Sequence, residues 1–239
     1  MKGLTEIVFI LDRSGSMSGL EQDTIGSFNS LIEKQKKEAG AAIVSTVLFD
    51  DVSEVLHDRV LLPEIRPMTD KEYYVRGWTA LLDAIGGAIH HIGDLHKNMR
   101  AKDRPENILF IIITDGMENA SRRYRDDTVK RLIERQKRKY HWEFLFLGAN
   151  IDAIKTAGRF GIESERAANF HCDSAGIALN YEVLSETICQ VRANRPIMAE
   201  WKNKIDLDYC MKRPNVRYPA ACRWGKREPD GELQSAGSE

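Results

Sequence analysis

Five side chains carrying hard oxygen donors stand where an apolar run stops or a helical pattern starts. Asp12, Ser14 and Ser16 spell D-x-S-x-S directly after the apolar run 6–11. Thr79 follows Gly77-Trp78 and opens a long apolar periodicity, and Asp115, in Thr114-Asp115-Gly116, closes a second apolar run. Two hydroxyls two residues apart on a tight, glycine-containing turn can point the same way, with the carboxylate just beneath them. Two carboxylates and three hydroxyls suit an octahedral Mg2+ that keeps part of its water, with Mn2+ or Ca2+ as substitutes. The set holds no sulfur or imidazole, so zinc and copper fit it poorly. Thr69, the other hydroxyl on the connection to Thr79, lacks the glycine approach and is the second choice.

These residues need a scaffold that brings three separate loops to one edge. The stretches 6–11, 43–49, 107–114 and 142–147 are short, continuous apolar runs rich in β-branched and aromatic residues. Such runs read as strands buried on both faces. Each ends abruptly at Asp, Gly or Asn, which marks the carboxyl edge of a sheet. The stretch 53–61 alternates and carries charge, as an exposed edge strand paired to its predecessor would, and 167–171 is a weak final strand. Between them, Leu81, Ile85, Ala88, Ile92, Leu95 and Met99 recur at steps of four and three, the period of one helix face. Ile25, Phe28 and Ile32 mark an earlier helix that Gly40 closes. Val129, Leu132 and Ile133 mark a basic surface helix, and Ile177, Tyr181, Leu184, Ile188 and Val191 a last one. Strands alternating with helices predict an α/β fold: a three-layer, doubly wound, mostly parallel sheet with one antiparallel edge strand and helices on both faces. Open sheets of this kind bind ligands at the carboxyl ends of their strands.

The set Asp12-x-Ser14-x-Ser16, then Thr79, then Asp115-Gly116, in this order and at these strand ends, resembles the metal-ion-dependent adhesion site (MIDAS) of a von Willebrand factor type A (vWA) domain. The resemblance covers about residues 4–192, and Gly148-Ala149-Asn150 is similar to bacterial cytosolic members. It implies that Ser14, Ser16 and Thr79 contact the metal through their hydroxyls, with Asp12 and Asp115 acting directly or through water. It further implies an open metal position that an Asp or Glu of a protein partner completes, and hence a metal-dependent binding module rather than an enzyme. Trp78 stands where many members have glycine, which crowds the rim without removing a ligand. The expected partner-binding rim is Met17, Trp78, Met117, Glu118 and Asn119, with Trp78 as aromatic anchor.

Other chemistries leave weaker traces. A metal-dependent phosphoryl-transfer or hydrolytic enzyme using Asp12 and Asp115 is the alternative from another class. A phosphatase nucleophile of the haloacid dehalogenase type would have a second Asp two residues after Asp12, where this chain has Ser14. No G-x-S-x-G, phosphate-binding G-x-x-x-x-G-K-[ST] or G-x-G-x-x-G is present. Of the histidines, His90, His91 and His96 share the long helix, but adjacent residues cannot share a face.

The chain has 239 residues, 35 basic and 36 acidic, too balanced for a dedicated nucleic-acid binder. No segment offers the run of about 20 apolar residues that crosses a bilayer, and Glu6 and Asp12 interrupt any signal-like stretch. Four widely spaced cysteines without C-x-x-C predict reduced thiols and a cytoplasmic location. Ten basic residues face only three acids between residues 192 and 227, interleaved with Trp201, Tyr209, Tyr218 and Trp224. The expected organisation is a vWA domain over 1–192 and a basic, Pro-containing, partly disordered tail over 193–239. A nucleic-acid accessory role through that tail is a further alternative, behind docking on the domain or on a protein partner.

Overall fold

The structure, a computed structural model, describes residues 3–212. Its strands are β1 (Leu4–Asp12), β2 (Ala41–Phe49), β3 (Ser53–Leu61), β4 (Asn107–Thr114), β5 (Glu143–Gly148) and β6 (Ala167–Asn169). Its α-helices are α1 (Glu21–Lys36), α2 (Leu81–Asn98), α3 (Asp126–Tyr140), α4 (Ala153–Arg159), α5 (Ser174–Arg192) and α6 (Asn203–Met211). The six strands form one sheet in the order β3-β2-β1-β4-β5-β6. All neighbours are parallel except β2 and β3, which run antiparallel. This is the expected doubly wound sheet, with β1 between β2 and β4 at its centre.

Period-two alternation explains how runs that look uniformly apolar serve two faces. Ile7, Phe9 and Leu11 of β1 pack with Phe28 and Ile32 of α1 and with Leu184 and Ile188 of α5. Val8 and Ile10 turn the other way, toward Ile85 and Ile89 of α2, Ile133 of α3 and Ala157 of α4. Because β1 and β4 lie in register, Leu11 beside Ile113, Asp12 and Asp115 emerge at the same edge.

Two elements were not anticipated. Helix α4 is only two turns long, too short for a periodic signal. Helix α6 lies within the stretch read as a tail. Ile197, Trp201 and Ile205 are buried with the α1/α5 side of the core, and the Trp201 indole donates to the Glu165 carbonyl at 2.8 Å. Packing therefore continues past residue 192 through α6, although three apolar side chains spread over nine residues leave no pattern to read. The remainder of the expected tail lies outside the described residues. Cys172 and Cys189 are free thiols, but Cys210 is disulfide-bonded, a departure from four reduced thiols. No described helix is long and apolar enough to cross a membrane.

Arg192, the last residue of the expected domain, ties α5 to α1. Its guanidinium donates to the Gln35, Glu38, Ala39 and Gly40 carbonyls at 2.6, 3.0, 3.2 and 2.8 Å. They lie in the last turn of α1 and in the turn that follows it. The last residue of α5 thus caps α1, and Gly40, with φ of +93°, turns the chain into β2. Arg192→Ala is expected to lower the unfolding free energy by about 2–4 kcal/mol, since the buried Gln35 carbonyl and three carbonyls of the following turn lose a charged donor. Urea unfolding with an unchanged slope is the measurement, and a loss below about 1 kcal/mol would contradict the capping role.

Candidate metal centre

The carboxyl end of β1 carries Asp12 into a turn whose backbone is held from three directions. Arg13 N–H donates to the Phe49 carbonyl at 2.8 Å, Gly15 N–H to the Gly77 carbonyl at 3.2 Å, and Arg76 N–H to the Arg13 carbonyl at 3.0 Å. Tyr73, fully buried, donates its hydroxyl to the Asp12 carbonyl at 2.5 Å. The Arg13 side chain is also fully buried, folding back to Asp50 at 2.8 Å and Glu54 at 2.7 Å. It anchors the loop while leaving Asp12 without a cation.

From this base the five candidate residues converge. Thr79 Oγ1 donates to Ser14 Oγ at 3.1 Å, and Ser14 Oγ lies 3.1 Å from Ser16 Oγ. Ser16 Oγ donates to Asp115 Oδ1 at 2.6 Å. Asp12 sits beneath the chain of hydroxyls, accepting from Ser14 N–H at 2.8 Å and from the Thr114 hydroxyl at 2.6 Å. Gly116 keeps the cradle open: a Cβ there would lie 3.0 Å from Thr79 Oγ1 and 3.4 Å from Ser16 Oγ. Thr69 is on the surface, bonded to Glu72 at 2.6 Å, and takes no part.

The rim is mixed. Trp78 and Met117 are 68% and 72% exposed, whereas Met17 is buried in the core beneath the loop. Glu118 and Asn119 are braces. Asn119 Oδ1 accepts from Thr79 N–H, and Glu118 Oε2 from Leu82 N–H, both at 2.8 Å. Ala80 offers α2 no side-chain cap, so the loop after β4 supplies it: Glu118 reaches Leu82, and Ser121 Oγ accepts from Asp83 N–H at 3.0 Å. Asp83 returns the bond to the amides of Arg122, Arg123 and Tyr124. Thr79 and Asp115 are thereby tied together through backbone. Local sequence could not reveal this cross-capping, because its partners lie about 40 residues apart.

The electrostatics are one-sided. Desolvation pushes the Asp12 carboxyl up to about 6, against the hydrogen bonds from Ser14 and Thr114 that lower it, and the nearby Asp115 adds to the rise. Asp115 is raised as well, chiefly by burial. Four carboxylates are buried among the described residues: Glu6, Asp12, Asp50 and Asp115. Glu6 has Arg59 at 2.8 Å and His96 at 2.6 Å, and Asp50 has Arg13 and Arg76, each at 2.8 Å. Asp12 and Asp115 have no ion pair among the described residues. A thiol near them, Cys172, points its Sγ at Asp115 Oδ2 from 3.6 Å, and burial pushes it up to about 12. No group of three or more His, Cys, Asp or Glu side chains able to hold a metal occurs among the described residues. The donor set is hydroxyl-rich instead, and two uncompensated carboxylates beside three hydroxyl oxygens fit a hard divalent cation.

The chain matches no protein-family model and no curated protein. Solved structures do share its architecture. Proximal thread matrix protein 1 (PTMP1) from the mussel byssus superposes with a TM-score of 0.53 at 13% identity, covering 78% of this chain and 46% of that one. Another structure of that protein, described as having a zinc-occupied MIDAS motif, gives 0.52 at 15% identity over 77% and 46% of the two chains. A von Willebrand factor type A structure from Catenulispora acidiphila gives 0.50 at 14% identity over 77% and 42%. The chain spans about half the length of these structures. At such identities the likeness is one of fold, and that fold is the vWA type of α/β sheet.

The raised Asp12 carboxyl sets a pH dependence for the metal-free protein. Its folded value, about 6, exceeds its ordinary 3.8, so protonation favours the folded state. That contribution is complete below the ordinary value and is lost as pH rises through the folded one. In EDTA, wild type should weaken relative to Asp12→Asn by on the order of 2–3 kcal/mol between about pH 4 and pH 7. Denaturant melts of both proteins across that range would measure it, and a flat difference would show that Asp12 is not held out of water.

Proposed function

We propose that the chain is a metal-dependent protein-binding module. Its Ser14, Ser16 and Thr79 hydroxyls and its Asp12 and Asp115 carboxylates hold Mg2+, with Mn2+ or Ca2+ as substitutes. The observation that carries this reading is the convergence of the five on one hydrogen-bonded cluster in which both buried carboxylates lack a counter-charge among the described residues. The PTMP1 structure with a zinc-occupied MIDAS motif supports it, as a protein of the same fold with a metal at its own such site.

Bound in this cluster, the cation supplies an electrophilic position for a hard anionic oxygen. With the three neutral hydroxyls in direct contact and a carboxylate acting through water, the ion keeps positive charge toward solvent, which favours an Asp or Glu carboxylate presented by a partner. One carboxylate contact fixes a point, so surrounding side chains must add area. Trp78 and Met117 stand exposed beside the cluster to do so, and tryptophan is enriched among residues that dominate interfaces.

A binding role fits the neighbouring groups better than catalysis. A hydrolytic or phosphoryl-transfer enzyme needs a base or nucleophile poised by the metal. The nearest histidine in sequence to Cys172, His171, has its Nε2 on the Tyr209 carbonyl at 3.1 Å. The Cys172 thiol, held protonated by burial, is a poor nucleophile.

Partner capture from native cells, with Mg2+ and then with EDTA, is the test. Ser14→Ala and Trp78→Ala should each weaken capture at least tenfold, about 1.4 kcal/mol or more, with melting in EDTA unchanged. Mg2+ should raise the melting point of wild type by mass action, on the order of 1–2 kcal/mol at millimolar metal, and leave Ser14→Ala unmoved. Capture that survives both EDTA and Ser14→Ala would remove the metal from recognition.

A further inference from the structure

At the opposite, amino end of the sheet, a cavity of about 140 Å3 opens between α2, α3 and the approach to β5. Its wall is the Trp142 indole, 3% exposed and stacked on Phe110 at 5.1 Å with 14° between the rings. His96 stands edge-on to the same indole at 5.6 Å, fixed by its bond to Glu6. Ile89, Ile108 and Leu132 complete the apolar side, and Asp94, Lys97 and Arg135 are among the charged residues on the other. Benzene fits a cavity of about 150 Å3.

Gly93 makes the space. It sits within α2, where glycine is less favourable than alanine, and nothing steric demands it. A Cβ there would meet only Gln136 Nε2 at 3.4 Å and Trp142 at 4.0 Å, both ordinary contacts. Its positive contribution is the volume it leaves between the two helices.

Gln136 supplies the polarity. The side chain is 7% exposed and lines the cavity, and its Oε1 is buried with no hydrogen-bond partner. A buried amide left unmet is costly. A flat molecule with an N–H donor would satisfy this oxygen, with an acceptor beside it facing the amide nitrogen, while its ring packs on the apolar side of the cavity.

We propose that this cavity is a binding site for a small planar aromatic bearing an adjacent N–H donor and acceptor, the chemistry of an aryl carboxamide or an amino-substituted nitrogen heterocycle. The site is independent of the metal cluster and of its reading. The size and the polar pair together set the class: one ring with an amide fills the space, and a ring without an N–H leaves Gln136 unmet. Sites built to hydrogen-bond a ligand discriminate strongly against analogues lacking the donor.

The full chain, labelled with 15N, titrated with benzamide and separately with acetophenone, tests it. Acetophenone has the same shape and no N–H. Benzamide should shift the Gln136 side-chain amide and the Trp142 indole resonances and saturate in the millimolar range, with acetophenone at least tenfold weaker. Gln136→Leu should erase that preference, and Gly93→Leu should abolish both titrations. Should Gly93→Leu not fold, Gly93→Ala, which the contacts accommodate, should weaken benzamide several-fold without loss of melting temperature. Absence of shifts at the solubility limit, shifts confined to other surfaces, equal binding of acetophenone, or a preference that survives Gln136→Leu would each overturn the proposal.

Discussion

A carboxylate taken out of water must find a counter-charge, a set of donors or a proton. This chain meets the requirement in different ways at the two ends of one sheet. Glu6, at the amino end, is closed off by Arg59 and His96. Asp50, beside the carboxyl edge, is closed off by Arg13 and Arg76. Among the described residues Asp12 and Asp115 receive only hydroxyl, amide and thiol donors, and both are driven toward their protonated forms. The fold has arginine within reach, since Arg13 is the very next residue, yet turns it toward β2 and β3. The contrast makes the uncompensated pair a specific feature of one edge rather than a general tolerance of buried charge.

The parallel arrangement is what makes that edge possible. With β1 central and β4 beside it, two strands deliver their carboxyl ends to adjacent loops without any chain reversal between them. The connection into α2 then needs only to pass over the same edge to add Thr79. Each donor is neutral or singly charged, so no one loop carries enough charge to hold an ion alone. The site exists only when the three loops are in register, and the register is set by the alternating apolar faces of β1 and β4 far below it.

Sequence revealed most of this because the two signals are strong and local. Apolar runs such as Asn107–Thr114 are strand-sized and rich in β-branched residues, and D-x-S-x-S after one of them is an unusual turn. What stayed hidden depends on contacts between distant residues. Glu118 and Asn119 look like rim residues beside Met117, and their side chains also hold α2 and Thr79. Met17 looks solvent-facing in a glycine-rich loop and is drawn into the core. Arg192 looks like the first charge of a basic tail and is the cap of α1. In each case a distant part of the fold, a backbone group or the apolar core, takes the side chain.

The same accounting explains why an exposed tryptophan can sit at the rim without being loose. Trp78 donates its backbone N–H to Asp51, and the preceding Gly77, at φ of +64°, adopts a conformation that side chains rarely take. A Cβ at Gly77 would also fall 2.8 Å from the Asp51 carboxylate. The Gly77 carbonyl receives the Gly15 N–H from the D-x-S-x-S turn, and the next residue, Thr79, is bonded to both Ser14 and Asn119. The backbone on either side of Trp78 is therefore fixed to the cluster, while its ring remains in solvent. A partner that reached the cluster would find the ring already positioned and would spend little ordering the loop beneath it. Pre-set backbone with an uncovered ring is what a recognition surface requires, and it follows from the same hydrogen bonds that assemble the five oxygen-bearing residues.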